Sequence, residues 1–234
     1  MGRPGTRGAM IESVAVAIPA YDAGSSVADV VQRALTLIPD VLVVDDGSRD
    51  DTGRVASRAG AEVISHPQNL GKGAALRLAF SVLFDRGFEA VVTVDADGQH
   101  LPEEIPKLIE CWGQGGDLVM GARDHLYAEM SRIRRASNTL SSRAISFFAG
   151  VDLRDCQTGF RLYTLKLFET TGFPEPRFEA ESAVIVRAAR RGLRILTVPV
   201  RLGFADGLST SHYRPVIDSL RIASAVARAR YARP

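Results

Sequence analysis

The chain has 234 residues, of which 46% are hydrophobic and 24% charged, and its formal net charge at pH 7 is +2. This apolar content is enough for a complete core and excludes intrinsic disorder as the main state. The near-zero charge gives no reason to expect a nucleic-acid partner, and the sequence has no run of about 18 apolar residues that would cross a bilayer. We expect residues 1–12 to form a disordered tail rather than a secretory signal, because they lack an apolar stretch. The two cysteines, Cys111 and Cys156, lack zinc-site spacing and are expected to be buried thiols.

Apolar strands alternate with helical patterns along the first half of the chain. The predicted strands are 13–19, 41–44, 61–65, 90–94 and 117–120. The predicted helices between them are about 25–37, 51–59, 71–84 and 102–112. Several of the strands are continuous apolar runs, which indicates a mainly parallel sheet with helices on both faces. The fold class is therefore α/β, with a Rossmann-like sheet.

The second half is less regular. It contains predicted helices at 131–150, 179–191 and 215–231 and one strand at 194–200. Nothing in the composition suggests an interdomain linker. We therefore expect one domain over residues 13–214, followed by an amphipathic C-terminal helix within 215–234.

Acidic pairs follow two of the predicted strands. Asp45 and Asp46 come directly after one strand, and Asp95 and Asp97 come after another. Ligands bind at the carboxyl ends of the strands in such sheets, so both pairs are expected to line one crevice. Carboxylates spaced like Asp95 and Asp97 suit Mg²⁺ or Mn²⁺, which take substrate phosphate oxygens as further ligands. The alternative is a surface turn with solvated acids.

Two other motifs have both a functional and a structural interpretation. The carboxylates of Asp45 and Asp46 can accept hydrogen bonds from a base or a ribose, but the same residues also suit a turn before a helix. Lys72, one of only three lysines, stands at a glycine-flanked helix start where an anion can bind. Neither the spacing of a P-loop nor a GxGxxG motif is present.

Taken together and in this order, the motifs resemble the family-2 glycosyltransferases of the GT-A fold. Residues 18–21 (IPAY), 43–48 (VVDDGS), 69–73 (NLGKG) and 95–100 (DADGQH) match the nucleotide-sugar half of that family. Residues 121–123 (GAR) and 155–161 (DCQTGFR) are similar to its branch of polyprenyl-phosphate (dolichol-phosphate-type) mannosyl- and glucosyltransferases.

The resemblance implies a role for each matching residue. The nucleoside pocket would be lined by Pro19, Tyr21, Asp22 and Asp46. The divalent metal, Mg²⁺ or Mn²⁺, would be held by Asp95, Asp97 and Gln99. The acceptor phosphate would face Arg123 and Arg161, with Arg135 and Asn138. Glu181 would lie near the sugar. His212 stands in a loop where relatives often carry a lysine that contacts the diphosphate, and it is expected to substitute for that lysine.

The expected activity is inverting transfer of a hexose, mannose or glucose, from a GDP- or UDP-sugar to a polyprenyl phosphate. Seven arginines against four acidic residues between positions 121 and 161 favour a phosphate acceptor over a neutral one. Three alternatives remain open: an acceptor hydroxyl on a sugar or protein, a non-catalytic nucleotide-sugar-binding subunit, and a nucleotidyltransferase. The last would need a basic, glycine-rich loop near the first strand, where residues 18–21 stand instead.

A lipid acceptor requires contact with a membrane surface. The predicted helices 131–150 and 215–231 carry arginines beside apolar stripes and are candidates to lie in the interface plane. The alternatives are that the stripes pack on the core or that a separate membrane subunit provides the contact. The expected location is cytoplasmic, at the inner face of the cell membrane.

Overall fold

The computed structural model describes residues 7–123, 132–153, 155–203 and 215–231. Side chains are described from Met10 onward within these ranges, except those of residues 132–138, 140 and 215–220. The strands are β1 (Val14–Ala20), β2 (Val41–Asp45), β3 (Glu62–Ser65), β4 (Ala90–Thr93), β5 (Leu118–Ala122), β6 (Arg161–Thr164) and β7 (Ile195–Pro199). The helices are α1 (Arg7–Glu12), α2 (Val27–Leu35), α3 (Thr52–Arg58), α4 (Lys72–Asp85), α5 (Ile105–Gly113), α6 (Arg132–Ala149), α7 (Leu165–Thr171), α8 (Glu179–Arg190) and α9 (Pro215–Tyr231).

The seven strands form one sheet in the order β3-β2-β1-β4-β6-β5-β7. All neighbouring pairs are parallel except those of β6, which runs antiparallel to both β4 and β5. The predicted α/β class with a mainly parallel sheet is confirmed. Strand β6 was not predicted, because it is only four residues long and begins with an arginine, a residue that is almost never fully buried.

Both faces of the sheet are covered, because alternate side chains of each strand enter separate apolar clusters. On β1, Ala15 and Ala17 enter the cluster formed with α4, α6, α8 and α9. Val14, Val16 and Ile18 enter the opposite cluster, formed with α2 and α5. The central strands β1, β2 and β4 are therefore almost entirely apolar along their length, which is the pattern that made them recognisable in the sequence.

The first described helix differs from the expected tail. Residues 7–12 form α1, which adjoins β1, and Met10 and Ile11 pack against the apolar cluster that contains α2 and α5. Residues 1–6 lie outside the described part of the chain. The pattern gave no signal for α1, because a six-residue helix is too short to display helical periodicity.

Helix α9 packs into the core of the same domain. Ala225, Val226 and Ala229 are buried in the cluster that also contains residues of α4 and α8, and Arg190 Nη1 of α8 donates to Ala229 O at 3.1 Å. The apolar stripe of the described α9 side chains thus lies against protein. No helix in the described parts of the chain is long and apolar enough to cross a membrane.

Candidate active site

The carboxyl ends of β1, β2 and β4 meet at one edge of the sheet, and each is followed by an acidic residue. Asp22 follows β1, Asp46 follows β2, and Asp95 and Asp97 follow β4. Because β6 is antiparallel, its amino end and the preceding Gly159 lie at the same edge. The structure therefore brings the acidic pairs to one edge, as their positions in the sequence predicted.

The Asp46 carboxylate holds the loop that precedes α4. It is almost completely buried and accepts hydrogen bonds from the backbone N–H groups of Leu70 at 3.0 Å and Gly71 at 2.7 Å. The ring Nδ1 of His66 lies 2.7 Å from the same carboxylate. These three partners engage the carboxylate within the protein. In this structure Asp46 shapes the wall of the crevice, and a base is not needed to satisfy it.

Close backbone contacts at two glycines fit this loop to its surroundings. Gly47 has φ of +72°, and a Cβ there would lie 2.4 Å from the carbonyl carbon of Gln68. Gly71 has φ of +103°, and a Cβ there would lie 2.5 Å from Pro176 O. Both positions require glycine for conformation and for space.

The loops after β1 and β2 are joined by Asp22. Its carboxylate accepts from the backbone N–H of Arg49 at 2.7 Å, and its own N–H donates to Ser48 Oγ at 3.0 Å. Asp22 adopts φ of +49°, the only positive value among the described residues other than glycine. Pro19 and Tyr21 are half-buried next to it. The four residues expected to line a nucleoside pocket thus lie at or just beyond the ends of β1 and β2.

Lys72 joins two carboxylates from distant parts of the chain. Its Nζ lies 2.6 Å from Asp95 Oδ1 and 2.9 Å from Glu181 Oε2. Burial opposes the charge on Lys72, but Asp95 and then Glu181 outweigh it and raise the lysine pKa. Burial also opposes ionisation of Asp95, yet Lys72 and then His100 lower its pKa to about 2. The cluster is therefore an ionised lysine between carboxylates in a largely dry setting.

Asp97 lacks a cation of this kind among the described residues. Its Oδ1 accepts from the backbone N–H of Gln99 at 3.0 Å. Burial, together with the nearby negative charge of Asp95, raises the pKa of Asp97. The preceding residue, Ala96, is tied to α2, since Ser26 Oγ donates to Ala96 O at 2.7 Å. This use of Ser26 replaces the helix cap that its position suggests, because its side chain makes no capping bond.

The donor set fits a divalent cation that shares its ligands with a substrate. Among the described residues, no three His, Cys, Asp or Glu side chains converge into a metal site. Two carboxylates stand at one strand end, and the pKa of one of them, Asp97, is raised by burial and by the charge of the other. Such a pair matches the ligands that Mg²⁺ takes when phosphate oxygens and water complete its shell. Asp95 and Asp97 are the residues that would hold such an ion, with the half-buried Gln99 beside them.

Two residues that the sequence reasoning did not assign complete the cluster. A Cβ on Gly159 would lie 2.3 Å from Asp95 Oδ2 and 2.7 Å from Lys72 Nζ, so the glycine leaves room for this pair. His100 is buried, with its ring stacked on Phe160 at 5.6 Å and its Nδ1 3.5 Å from Asp95 Oδ2. Burial lowers the His100 pKa to about 4, so the ring is neutral near pH 7. Both residues belong to motifs quoted above, but nothing in the spacing indicated these contacts.

The two arginines expected to face an acceptor occupy different environments. Arg123, at the end of β5, forms a two-pronged pair with the buried Asp155, with Nε 2.8 Å from Oδ2 and Nη2 3.2 Å from Oδ1. Arg161 is fully buried, and its guanidinium donates to the carbonyl oxygens of Thr158, Glu181 and Cys156 at 2.6–2.9 Å. The structure therefore turns Arg161 inward, because its donors bind backbone carbonyl oxygens. An arginine that binds a phosphate would instead direct its donors toward the open side of the site.

Three further expected residues cannot be placed as side chains. Arg135 and Asn138 lie in α6, but only their backbone is described. His212 lies outside the described residues. Glu181 stands in the first turn of α8, where it meets Lys72, and its second oxygen, Oε1, is buried without a hydrogen-bond partner among the described residues.

The site therefore combines carboxylates at the ends of the central parallel strands with Arg123 at the end of β5, two positions from β4 in the sheet. The family model described as "Glycosyl transferase family 2" matches residues 15–172. The chain belongs to this family and has its GT-A fold.

Individual proteins agree with this assignment. The chain is 32% identical over 196 residues to an undecaprenyl-phosphate mannosyltransferase of Micrococcus luteus, which covers 78% of this chain and 80% of the relative. It is 31% identical over 191 residues to the glycosyltransferase AglJ of Haloferax volcanii. That alignment covers 80% of this chain but only 62% of the relative's length.

Among solved structures, glucosyl-3-phosphoglycerate synthase of Mycobacterium tuberculosis, in complex with Mn²⁺, UDP and phosphoglyceric acid, superimposes with a TM-score of 0.73. The two chains are 22% identical, and the match covers 100% of this chain and 85% of the other. At this identity, the likeness concerns the fold.

Proposed function

We propose that the protein transfers a hexose, mannose or glucose, from a GDP- or UDP-sugar to a polyprenyl phosphate, with inversion at the anomeric carbon and with Mg²⁺ or Mn²⁺ as cofactor. The observation that carries the proposal is the cluster of Asp95, Asp97, Lys72 and Glu181 at the end of β4. The similarity to an undecaprenyl-phosphate mannosyltransferase supports the acceptor class. The fold neighbour crystallised with Mn²⁺ and UDP supports a divalent metal and a nucleotide.

In this proposal, the nucleoside lies over the ends of β1 and β2, near Pro19, Tyr21 and Asp22. The diphosphate lies toward Asp95 and Asp97, which would hold a divalent metal; such an ion would supply positive charge to neutralise the leaving group. Asp46 keeps the loop before α4 in place, and through it the position of Lys72. Lys72 holds Asp95 and Glu181 together, so that carboxylates and a cation surround the place where charge develops during transfer.

The acceptor needs little activation if it is a phosphate. A phosphate monoester has a second pKa of about 6 and is mostly ionised near neutral pH. Its oxygen attacks the anomeric carbon, the bond from that carbon to the diphosphate oxygen breaks, and the nucleoside diphosphate departs with the electron pair. A hydroxyl acceptor would also need a residue to accept its proton. Arg123 is the described arginine proposed to meet the incoming phosphate, with Asp155 fixing its direction.

The test is incubation of the purified chain with a panel of nucleotide sugars, Mg²⁺ or Mn²⁺ and a short polyprenyl phosphate, followed by mass spectrometry of the lipid. We expect one glycolipid product that disappears in Asp97→Asn and persists in Asp85→Asn, a matched change of an exposed carboxylate at the end of α4. Normal turnover by Asp97→Asn with metal present would contradict the proposal. Donor hydrolysis or transfer to hydroxyl acceptors alone would favour a sugar or protein hydroxyl as the acceptor. Binding without any turnover would favour the non-catalytic nucleotide-sugar-binding subunit.

Replacement of Arg123 tests its proposed role at the acceptor phosphate. We expect Arg123→Ala to reduce transfer to the polyprenyl phosphate while nucleotide-sugar binding is kept. Retention of full transfer to the polyprenyl phosphate would remove Arg123 from the acceptor site. The location at the inner face of the cell membrane stays a prediction, as does a separate membrane subunit.

A further inference from the structure

The end of α6 presents apolar side chains to solvent in a fixed geometry. Four large hydrophobic residues are exposed in the described part of the chain: Leu70, Phe147, Val151 and Tyr231. Two of them, Phe147 at 81% exposure and Val151 at 40%, stand four residues apart at the carboxyl end of α6. We call Phe147, Gly150 and Val151 the α6 tip.

Hydrogen bonds make the tip rigid. Gly150 has φ of +74° and ends the helix, and the N–H groups of Gly150 and Val151 donate to Ser146 O at 2.8 and 3.3 Å. The Ser146 hydroxyl donates to Leu153 O and accepts from Leu153 N–H, both at 3.1 Å. This is a left-handed glycine cap, reinforced by a side chain. Val151 is therefore held beside the helix end and does not hang in a loose loop.

The exposed Phe147 ring is also anchored. It packs edge-to-face on Phe148 with 5.6 Å between ring centroids, and Phe148 packs in turn against the core. Around Gly150 the surroundings are open, since a Cβ there would meet no described atom within 4 Å. The tip is thus a convex apolar projection on a firm base.

The shape and charge of this region select its partner. A Phe and a Val on a convex surface cover far less than the roughly 800 Å² per side that a stable protein interface needs. A lipid interface requires no complementary shape, and it accepts an aromatic ring directly. The exposed Arg143 lies one turn before Phe147, and a cation at this place suits an anionic lipid surface. The exposed Asp152 follows the tip as an opposing charge.

The tip is connected to the candidate active site by a short, hydrogen-bonded segment. Ser142 of α6 accepts from Cys156 N–H at 3.0 Å, Asp155 binds Arg123, and Gly159 adjoins Asp95. Eight residue steps separate Val151 from Gly159, which span at most about 29 Å. The tip and the Gly159 end of the crevice therefore lie no farther apart than this length of chain.

We propose that the α6 tip, led by Phe147, inserts into the lipid interface and docks the enzyme on the bilayer that holds its acceptor. This inference rests on the proposed function, because that function supplies the lipid acceptor. It assigns the contact to α6, whereas the described apolar stripe of α9 packs against the core.

The test compares two exposed aromatic residues. Vesicles of phosphatidylcholine, with and without phosphatidylglycerol, are sedimented with the wild type, Phe147→Ser and Tyr231→Ser. Tyr231 is 78% exposed at the end of α9, which lies beside the carboxyl end of α8. Glu181, which belongs to the candidate active site, stands at the opposite, amino end of α8. Tyr231 is therefore an exposed aromatic residue away from that site. We expect Phe147→Ser to lower the vesicle partition coefficient about tenfold and Tyr231→Ser to leave it within error. Equal binding by the wild type and Phe147→Ser, or no vesicle binding by the wild type, would overturn the inference.

Further measurements distinguish lipid insertion of the α6 tip from self-association of the chain and from the proposed transfer activity. Phe147→Trp in a Trp112→Phe background leaves a single tryptophan, whose emission is expected to shift to the blue when vesicles are added and to stay unchanged if the tip remains in water. A loss of self-association in Phe147→Ser without vesicles would show instead that the tip joins two copies of the chain. Transfer to a soluble short polyprenyl phosphate is expected to be equal in Phe147→Ser and wild type. If the wild type makes no product but still docks through Phe147, the proposed function fails while the docking surface stands.

Discussion

The carboxylate of Asp46 and the backbone N–H of Gly71 are joined by a 2.7 Å hydrogen bond that fixes the start of α4. Gly71 immediately precedes Lys72, whose ammonium group reaches Asp95 and Glu181. Asp46, which follows β2, thus helps to place the Lys72 ammonium group beside Asp95, which follows β4. This relationship links the two acidic motifs through the polypeptide, in addition to any ligand that spans them.

Asp46→Ala is expected to destabilise the fold by about 1–3 kcal/mol, because two backbone N–H groups lose their buried acceptor. Asp46→Asn keeps an acceptor oxygen, so its loss of stability is expected to be smaller than that of Asp46→Ala. Its activity is still expected to fall, because Leu70, Gly71 and His66 must then share one amide in place of a carboxylate. Urea unfolding and the KM for the donor measure the two effects. A raised donor KM with unchanged stability in Asp46→Ala would show instead that Asp46 serves as a direct nucleoside ligand.

Lys72→Met leaves Asp95 and Glu181 facing each other without their cation. We expect a stability loss of about 2–4 kcal/mol, since removing one partner of a buried ion group leaves uncompensated charge. Added Mg²⁺ or Mn²⁺ is expected to raise the melting temperature of Lys72→Met more than that of the wild type, because the variant has more negative charge to neutralise. Thermal unfolding with and without metal is the measurement, with Lys166→Met, an exposed lysine, as control. Equal metal shifts in Lys72→Met and wild type would remove Asp95 from the metal site.

Gly159→Ala places a methyl group 2.3 Å from Asp95 Oδ2, so the Asp95–Lys72 pair must move. The backbone at Gly159 is held by Thr93, whose hydroxyl donates to Gly159 O at 2.7 Å, and therefore cannot easily retreat. We expect transfer to fall at least about tenfold, because displacements of this size at a reacting centre are costly. Gly113→Ala is a matched control, since a Cβ there meets only the flexible end of Met10 at 3.1 Å. Similar activities for the two variants would argue against a close fit at Gly159.

Arg161→Met is expected to unfold or strongly destabilise the protein, because three buried carbonyl oxygens lose their donors. Arg161→Lys keeps the charge but cannot form the planar fork of contacts, and we expect a loss of about 2–3 kcal/mol. Urea denaturation of Arg161→Lys measures this. A fully stable Arg161→Lys with impaired transfer would return Arg161 to the acceptor site that its motif suggests.

Much of the architecture could be predicted, because buried parallel strands are apolar along their length and their polar carboxyl ends mark the crevice. Asp95 and Asp97 were recognisable for this reason. Strand β6 was not, since a single arginine satisfied by three carbonyl groups does not resemble a strand residue in the sequence. The inward direction of Arg161, the Asp46–Gly71 bond and the fit at Gly159 depend on contacts between segments far apart in the chain, which local patterns do not contain.

The hydrogen bond from Gly121 N–H to Phe160 O, 2.9 Å long, closes the chain between β5 and β6 where it leaves and re-enters the sheet. The intervening 38 residues are therefore held at both ends by the pairing of β5 with β6. Changes of length or sequence in this segment can leave that pairing intact if Gly159, which adjoins Asp95, and the buried α6 residues Ile145 and Ala149 are kept. If the proposed function holds, exchange of this segment between family members, cut at 121 and 160 with Gly159 kept, is a route to hybrid enzymes with a new acceptor and an unchanged donor.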